Sequence, residues 1–414
     1  VYADFARIVC FEPANPQEAY DMTREAFDVS ERFKIPVMVR LVTRLAHSRS
    51  IVKARQSEAE KPLDKDKDPT SWTLLPNHAR RLWRQLLDIQ TDLLVNAEAS
   101  RFNSLELSDD DQGLGVITTG IARGYYLENL PRLDHAPSHL HIGTYPIPVS
   151  QVRALAEKVD RILVLEEGYP VVERQLRGLL PTPLEIDGRE SPALPLDGEL
   201  TPGNVGAALG LERPEAIEVG EFHLPARPPQ LCPGCPHRDA YTAMQLALSG
   251  YELSIVNADI GCYTLGALAP FSAIESGVCM GAAVGMAKGA ADAGLHPVVA
   301  VIGDSTFLHS GVTPLMDAVA AETDMTLVIL DNETVGMTGA QQTILPSSRI
   351  ESVVLGVGVD PAHCHVVEAR PNKVEEMADV IKAELDHHGL SVVIAVCECI
   401  EAARRRKAIE RAKE

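Results

Sequence analysis

No uninterrupted apolar stretch in the 414 residues reaches the ~20 needed to cross a bilayer, which excludes a membrane-spanning helix. The opening residues, Val1-Tyr-Ala-Asp-Phe-Ala-Arg7, lack the basic segment and apolar run of a secretory signal. Cationic side chains are scarce: Lys+Arg number 38 against Asp+Glu 58, a net charge of −20. So acidic a surface argues against nucleic acid or anionic lipid as the main partner. The expected location is the cytoplasm, where the eight cysteines read as thiols or metal ligands rather than disulfides. The chain has no initiator Met and opens close to a strand, which suggests a processed or truncated start.

What is present is an alternation of strand-like and helix-like segments, predicting α/β units with parallel sheets flanked by helices. At this length two or three domains are expected. Residues 1–50 read as the end of an α/β domain: a strand to Phe11, a helix opened by Asn15 and Pro16, and a strand over 35–42. Residues 51–112 form a charged connector, with a solvated loop over Lys61–Pro69 and a helix over His78–Asn96. Residues 113–185 read as a second α/β domain. Residues 186–230, rich in Pro and Gly, read as a surface linker. Residues 231–400 form the third unit, with buried strands over 297–302, 325–330 and 390–396. Residues 401–414 are a charged helix.

Chemistry concentrates in the third unit. Two apolar strands end in Gly303-Asp304-Ser305 and in Asp331-Asn332-Glu333-Thr334. Ligands bind at the carboxyl ends of strands in open α/β sheets. An Asp304 carboxylate, an Asn332 side-chain carbonyl and the Thr334 main-chain carbonyl are hard oxygen donors suited to one Mg²⁺ that also holds a diphosphate. Gly303 lets the diphosphate approach the chain. A helix starting at Ser305 or Thr306 offers N–H groups to it. A Gly-Asp-Ser turn alone is a weak signal; two strand ends followed by Met337-Thr338-Gly-Ala-Gln341 are a stronger one.

Cys232-Pro-Gly-Cys235 sits on a bent loop that aims two sulfurs at one point, and Cys262, Cys397 and Cys399 follow. Thiolates converging from separate loops fit a [4Fe–4S] cluster, structural zinc, or no metal at all. His237 reads as a hydrogen-bonding neighbour or a ligand. Cys10, Cys279 and Cys364 read as core residues. His309, one turn past the diphosphate loop, is a candidate to face a substrate, with capping or packing as its other role.

These residues resemble a known family. Cys232 to His237, Asp259 to Gly266, Cys279 to Met286, Gly303 to Gly311 and Leu330-Asp-Asn332 are similar to the thiamine-diphosphate subunit of indolepyruvate:ferredoxin oxidoreductases, within the wider 2-oxoacid:acceptor oxidoreductases. Cys10-Phe-Glu-Pro-Ala14 and Glu18 to Phe27 resemble the end of that family's pyrimidine-binding domain, and 113–185 its transketolase C-terminal-like domain.

The resemblance implies oxidative decarboxylation of a 2-oxoacid, an aryl pyruvate such as indolepyruvate, to an acyl-CoA. Coenzyme A is the co-substrate, and electrons pass through a [4Fe–4S] cluster to ferredoxin or a flavoprotein. It places thiamine diphosphate against Gly261, Cys262, Gly281, Gly303, Asp304, Ser305, Thr306, Asn332, Thr334, Met337 and Thr338. Mg²⁺ falls on Asp304, Asn332 and Thr334. The cluster falls on Cys232, Cys235, Cys262 and Cys399, with Cys397 as the alternative fourth ligand. Met337 replaces a polar residue of pyruvate-specific members, which suits a larger oxoacid.

No position matches the family's activating Glu. The family's ferredoxin-like extension is also not found, so the expected assembly is a hetero-oligomer with a smaller gamma-type or electron-transfer subunit. Other readings are a non-redox decarboxylase using the same cofactor and a non-catalytic scaffold subunit.

Overall fold

The structure, a computed structural model, describes residues 1–57, 68–71, 75–179, 184–212 and 229–411. The chain divides into two compact units, Val1–Gly220 and Glu221–Glu414. The expected loop over Lys61–Pro69 lies almost wholly outside the described residues.

In the first unit, β1 (Cys10–Phe11) pairs in parallel with β2 (Met38–Val39). Both strands are shorter than the sequence predicts. The helix between them, Pro16–Phe33, starts where expected: Asn15 Oδ1 accepts the Glu18 N–H at 2.9 Å, with Pro16 in the first turn. Such a cap contributes about 1 kcal/mol. The helix expected over 78–96 is two, Pro76–Asp88 and Gln90–Glu98.

A five-stranded sheet follows, built from β3 (Asn103–Glu106), β4 (Leu114–Thr119), β5 (Ser138–Ile142), β7 (Arg161–Leu165) and β8 (Glu185–Asp187), in the order β3-β5-β4-β7-β8. β6 (Thr144–Tyr145) pairs antiparallel with β1 instead.

The expected linker at 186–230 is corrected over its described part. β8 is a sheet strand, and Leu194, Leu200 and Val205 are buried against Tyr126 and Leu163. Arg189 is the reason. Buried, it donates to the carbonyls of Glu166, Pro195 and Gly198 and pairs with Glu167 at 3.2 Å, so the Pro/Gly-rich chain folds back around a satisfied guanidinium. Residues 213–228 are outside the described residues.

The second unit holds β9 (Ile255–Ala258), β10 (Ser276–Gly277), β11 (Val298–Gly303), β12 (Met325–Asp331), β13 (Thr334–Val335), β14 (Gln341–Gln342), β15 (Cys364–Glu368) and β16 (Leu390–Val396). Six of these form a parallel sheet in the order β10-β9-β11-β12-β16-β15. β13 and β14 make a small antiparallel pair just after β12.

β11, β12 and β16 read as continuous apolar runs because both sheet faces are covered. Val299, Val301, Val328 and Leu330 face the helices Pro236–Leu248 and Val374–Leu385. Val298, Ala300, Ile302, Leu327 and Ile329 face the helices Ala282–Asp292 and Val312–Ala320. The polar residues that end these strands therefore emerge together at one edge of the sheet.

Candidate functional site

Asp304 follows β11 directly, at the start of a helical stretch that runs through Asp304–Thr306, a π-helical turn Phe307–Gly311 and Val312–Ala320. It is buried. Its Oδ1 accepts the Ser305 N–H at 2.6 Å, while its Oδ2 is buried with no hydrogen-bond partner. Burial, then the neighbouring Asp331 carboxylate, pushes the Asp304 carboxyl up to about 7, against the pull of the Ser305 and Asn332 N–H groups.

Asp331, the last residue of β12, is also buried. Its Oδ1 accepts from Ser347 Oγ at 2.7 Å and from the Glu333 N–H at 3.2 Å, and its Oδ2 too lacks a partner. Two buried carboxylate oxygens with nothing to bind are costly on their own. A proton held between the two carboxyls or a hard divalent cation can satisfy both, and the oxygen donor set fits Mg²⁺. Asp331 is a candidate that sequence reasoning does not single out.

Asn332 is held on three sides. Its side-chain NH₂ donates to His237 Nε2 at 3.0 Å, its Oδ1 accepts the Thr334 N–H at 3.1 Å, and its main-chain carbonyl accepts the Cys399 N–H at 3.0 Å. Burial pushes His237 down to about 4, so the imidazole is neutral and its Nε2 can accept. Thr334 is buried, and its hydroxyl donates to the Gln341 carbonyl.

The loop over Asp259–Gly266 lies beside this pair. The buried Asp259, to which the sequence assigns no role, accepts the Tyr263 hydroxyl and the Gly281 N–H at 2.9 Å, tying this loop to the start of the helix Ala282–Asp292. Gly261 donates its N–H to Thr264 Oγ1, and the Thr306 hydroxyl reaches the Ile260 carbonyl. Tyr263 covers Gly303 so closely that a Cβ there would meet its ring at 2.5 Å. Gly281 has φ +88° and faces Ser310, whose Cβ would lie 2.3 Å from any added Cβ. These glycines let Tyr263 and Ser310 pack directly on the main chain, and the helix start at Asp304–Thr306 lies beside the carboxylates, where N–H groups suit a diphosphate.

All eight cysteines are free. Cys232 and Cys235 flank a turn closed by the Cys235 N–H on the Cys232 carbonyl, with Gly234 at φ +78°. Burial pushes the Cys235 thiol up to about 12, and Cys232, Cys262 and Cys399 add to that push. Burial raises Cys262 as well, with Cys399 and Cys232 contributing and the Met337 N–H opposing. Four thiols thus act on one another, a donor set that fits a [4Fe–4S] cluster. Cys397 lies elsewhere, packed against the core below the sheet near Arg370 and Asp239.

Met337, on the turn Gly336–Thr338, is 63% exposed, and a Cβ on Gly336 would lie 3.1 Å from Cys262 Sγ. The Thr338 hydroxyl is turned to Gln341. His309 is exposed and bonds Ser310. Cys10 is buried as expected, but Cys279 is exposed and Cys364 only half-buried. Cys364 opens β15 and Cys279 lies in the bend before the helix Ala282–Asp292.

Residues 259–395 match the family of thiamine pyrophosphate enzymes, C-terminal TPP-binding domain. Residues 3–100 match the thiamine-diphosphate-binding domain of pyruvate flavodoxin/ferredoxin oxidoreductases. Fold and matches together define a thiamine-diphosphate-dependent oxidoreductase of 2-oxoacids. The indolepyruvate oxidoreductase subunit IorA of Methanothermobacter thermautotrophicus is 34% identical over 422 residues, covering 96% of this chain and 68% of that protein. That of Archaeoglobus fulgidus is 33% identical over 434 residues, covering 98% and 68%. The chain belongs to this IorA family of indolepyruvate oxidoreductase subunits, as the cysteine and strand-end motifs imply. Among solved structures, the 2-oxoglutarate:ferredoxin oxidoreductase from Magnetococcus marinus aligns with a TM-score of 0.38 at 20% identity, over 46% of this chain and 76% of that one. Among the described residues no helix is long and apolar enough to cross a membrane.

Proposed function

We propose that this chain is the thiamine-diphosphate-binding subunit of a multi-subunit enzyme that oxidatively decarboxylates an aryl 2-oxoacid such as indolepyruvate. The products are CO₂ and the acyl-CoA; two electrons and one proton leave. The electrons pass one at a time through a [4Fe–4S] cluster on Cys232, Cys235, Cys262 and Cys399 to ferredoxin or another acceptor subunit.

One observation carries the reading. The unpartnered Asp304 and Asp331 oxygens lie next to Asn332, and Asn332 is bonded to both cysteine-bearing segments, through His237 and through Cys399. When bound, thiamine diphosphate supplies the carbanion chemistry that breaks the bond to CO₂. The protein's part is binding and placement. Asp304, Asn332 and the Thr334 carbonyl, with Asp331 beside them, would hold Mg²⁺. The chain at Gly303–Thr306 and the segment opened by Gly281 would hold the diphosphate. Met337, apolar and exposed, would present a surface suited to a large side chain. The turn that carries it lies on Cys262, so substrate and cluster would share one wall.

The test is anaerobic purification with co-purifying chains, assay of thiamine diphosphate, magnesium, iron and sulfide, and indolepyruvate- and CoA-dependent reduction of a viologen dye. About four irons per chain and CoA-dependent turnover are expected. Absence of iron with an aldehyde product would make the protein a non-redox decarboxylase, and absence of coenzyme would make it a scaffold.

A further inference from the structure

At the opposite edge of the same sheet, three side chains converge that the proposed reaction does not use. β11, β12 and β16 are adjacent and parallel, with Val299 aligned to Thr326 and Met325 to Leu390. Each is entered past a metal-binding side chain: His296 before β11, Asp324 directly before β12, and His388 before β16. His296 Nδ1 lies 3.2 Å from Asp324 Oδ2, and His388 Nδ1 lies 2.8 Å from the same oxygen. One donor atom from each residue falls within 4.8 Å of the others. We propose that His296, Asp324 and His388 bind one divalent transition-metal ion, Zn²⁺ by donor set, with a water in the remaining position.

Three features favour a cation over a simple hydrogen-bonded trio. First, both imidazoles turn the same nitrogen to a single carboxylate oxygen, yet His296 Nδ1 is buried and has no hydrogen-bond partner despite its closeness to that oxygen. It is placed for a third body between the groups. Second, ligand atoms around a tetrahedral Zn²⁺ at ~2.0–2.1 Å are ~3.3 Å apart. The two nitrogen–oxygen distances lie near that edge length, so small side-chain shifts would admit the ion.

Third, a neighbouring cluster shows the other arrangement. His363 and His365 also share one carboxylate, that of Glu384, but each takes its own oxygen, at 2.9 and 2.6 Å. That cluster is closed by its own hydrogen bonds; in the other, His388 bonds Asp324 but His296 Nδ1 bonds nothing. Asp324 is also oriented from behind, its Oδ1 accepting the Gly389 N–H at 3.3 Å, as metal-bound carboxylates generally are. His388 is 77% exposed, leaving an open side for solvent water. The ion would clamp three strand entries, so it would stabilise the folded unit by mass action.

The experiment is Zn²⁺ titration of the cluster-loaded protein by calorimetry, with zinc-edge X-ray absorption on the complex, for wild type, H388A and D324N. His388 is exposed and Asn preserves the shape of Asp324, so both variants should fold; circular dichroism checks this. One Zn²⁺ per chain is expected with a nitrogen/oxygen shell at ~2.0–2.1 Å, the affinity falling at least ~10-fold in each variant and the melting temperature rising with Zn²⁺ in wild type only. Equal binding by all three proteins, a sulfur shell near ~2.3 Å, or no Zn²⁺ uptake would overturn the assignment.

Discussion

His237 and Asn332, 95 positions apart in the chain, meet through a 3.0 Å hydrogen bond from the Asn332 amide to a neutral imidazole nitrogen. The bond fixes which way the amide points. With the NH₂ turned to His237, Asn332 Oδ1 is left as the only side-chain atom available to a cation. His237, in the first turn of the helix that follows the cysteine loop, is therefore a positioning residue that acts on a candidate magnesium ligand.

Replacing His237 by Ala should weaken Mg²⁺ and thiamine diphosphate binding by ~10–100-fold. H237Q, which keeps an acceptor within reach, should restore part of it. Equilibrium dialysis of coenzyme against both variants reads the difference. Equal coenzyme affinity in wild type and H237A would remove the positioning role.

Asp304 gives the central test. D304A should purify without coenzyme and lose turnover by at least ~100-fold, since a direct ligand matters no less than its supports. If coenzyme occupancy and rate are unchanged, the metal site is elsewhere.

The same carboxyl sets a pH dependence. It holds its proton up to about 7 in the folded, metal-free protein, against 3.8 for the ordinary side chain. Between those values the folded state binds the proton that the unfolded state releases. Its contribution to metal-free stability is therefore full below 3.8 and is lost as pH rises to about 7. Mg²⁺ must displace this proton, so Mg²⁺ affinity should rise with pH and level off above about 7. Calorimetry at pH 6 in buffers of different ionisation enthalpy should show proton release on Mg²⁺ binding, and D304N should not.

The two C-terminal cysteines should separate cleanly. C399A should lose the brown chromophore and most iron, whereas C397A should keep both and change stability only modestly. Iron and sulfide assays on anaerobic preparations decide it, and the reverse pattern would reassign the fourth ligand.

Gly281 offers a stability test. An Ala there must adopt φ +88° and place its Cβ 2.3 Å from that of Ser310. The strain should cost about 1–3 kcal/mol, seen as a lower melting temperature than wild type. G285A, in the same helix with open space at its Cβ, is the control and should be neutral or stabilising.

The second unit is legible in the sequence because its strands are buried on both faces. Val298–Ile302 and Met325–Leu330 are uninterrupted apolar runs, and the polar residue ending each stands out. β15 is not legible: a short edge strand containing His365, it carries no such run. Asp331 reads as a turn residue, because only the pairing of β11 with β12 sets its carboxylate beside Asp304. Cys397 and Cys399 cannot be ranked by spacing, since that choice depends on how the chain leaves β16. The segment after Asp187 reads as linker from its Pro and Gly. The apolar residues Leu194, Leu200 and Val205, with Arg189 between Gly188 and Glu190, are the signal against that reading.

Met337 sits on a three-residue turn outside the sheet, bordered by Gly336 and Gly339, and contributes nothing to either core. A change of side chain there carries almost no folding penalty. On the proposed reading, oxoacid selectivity could therefore be altered by single substitutions at Met337 without disturbing the strand ends that would hold the metal.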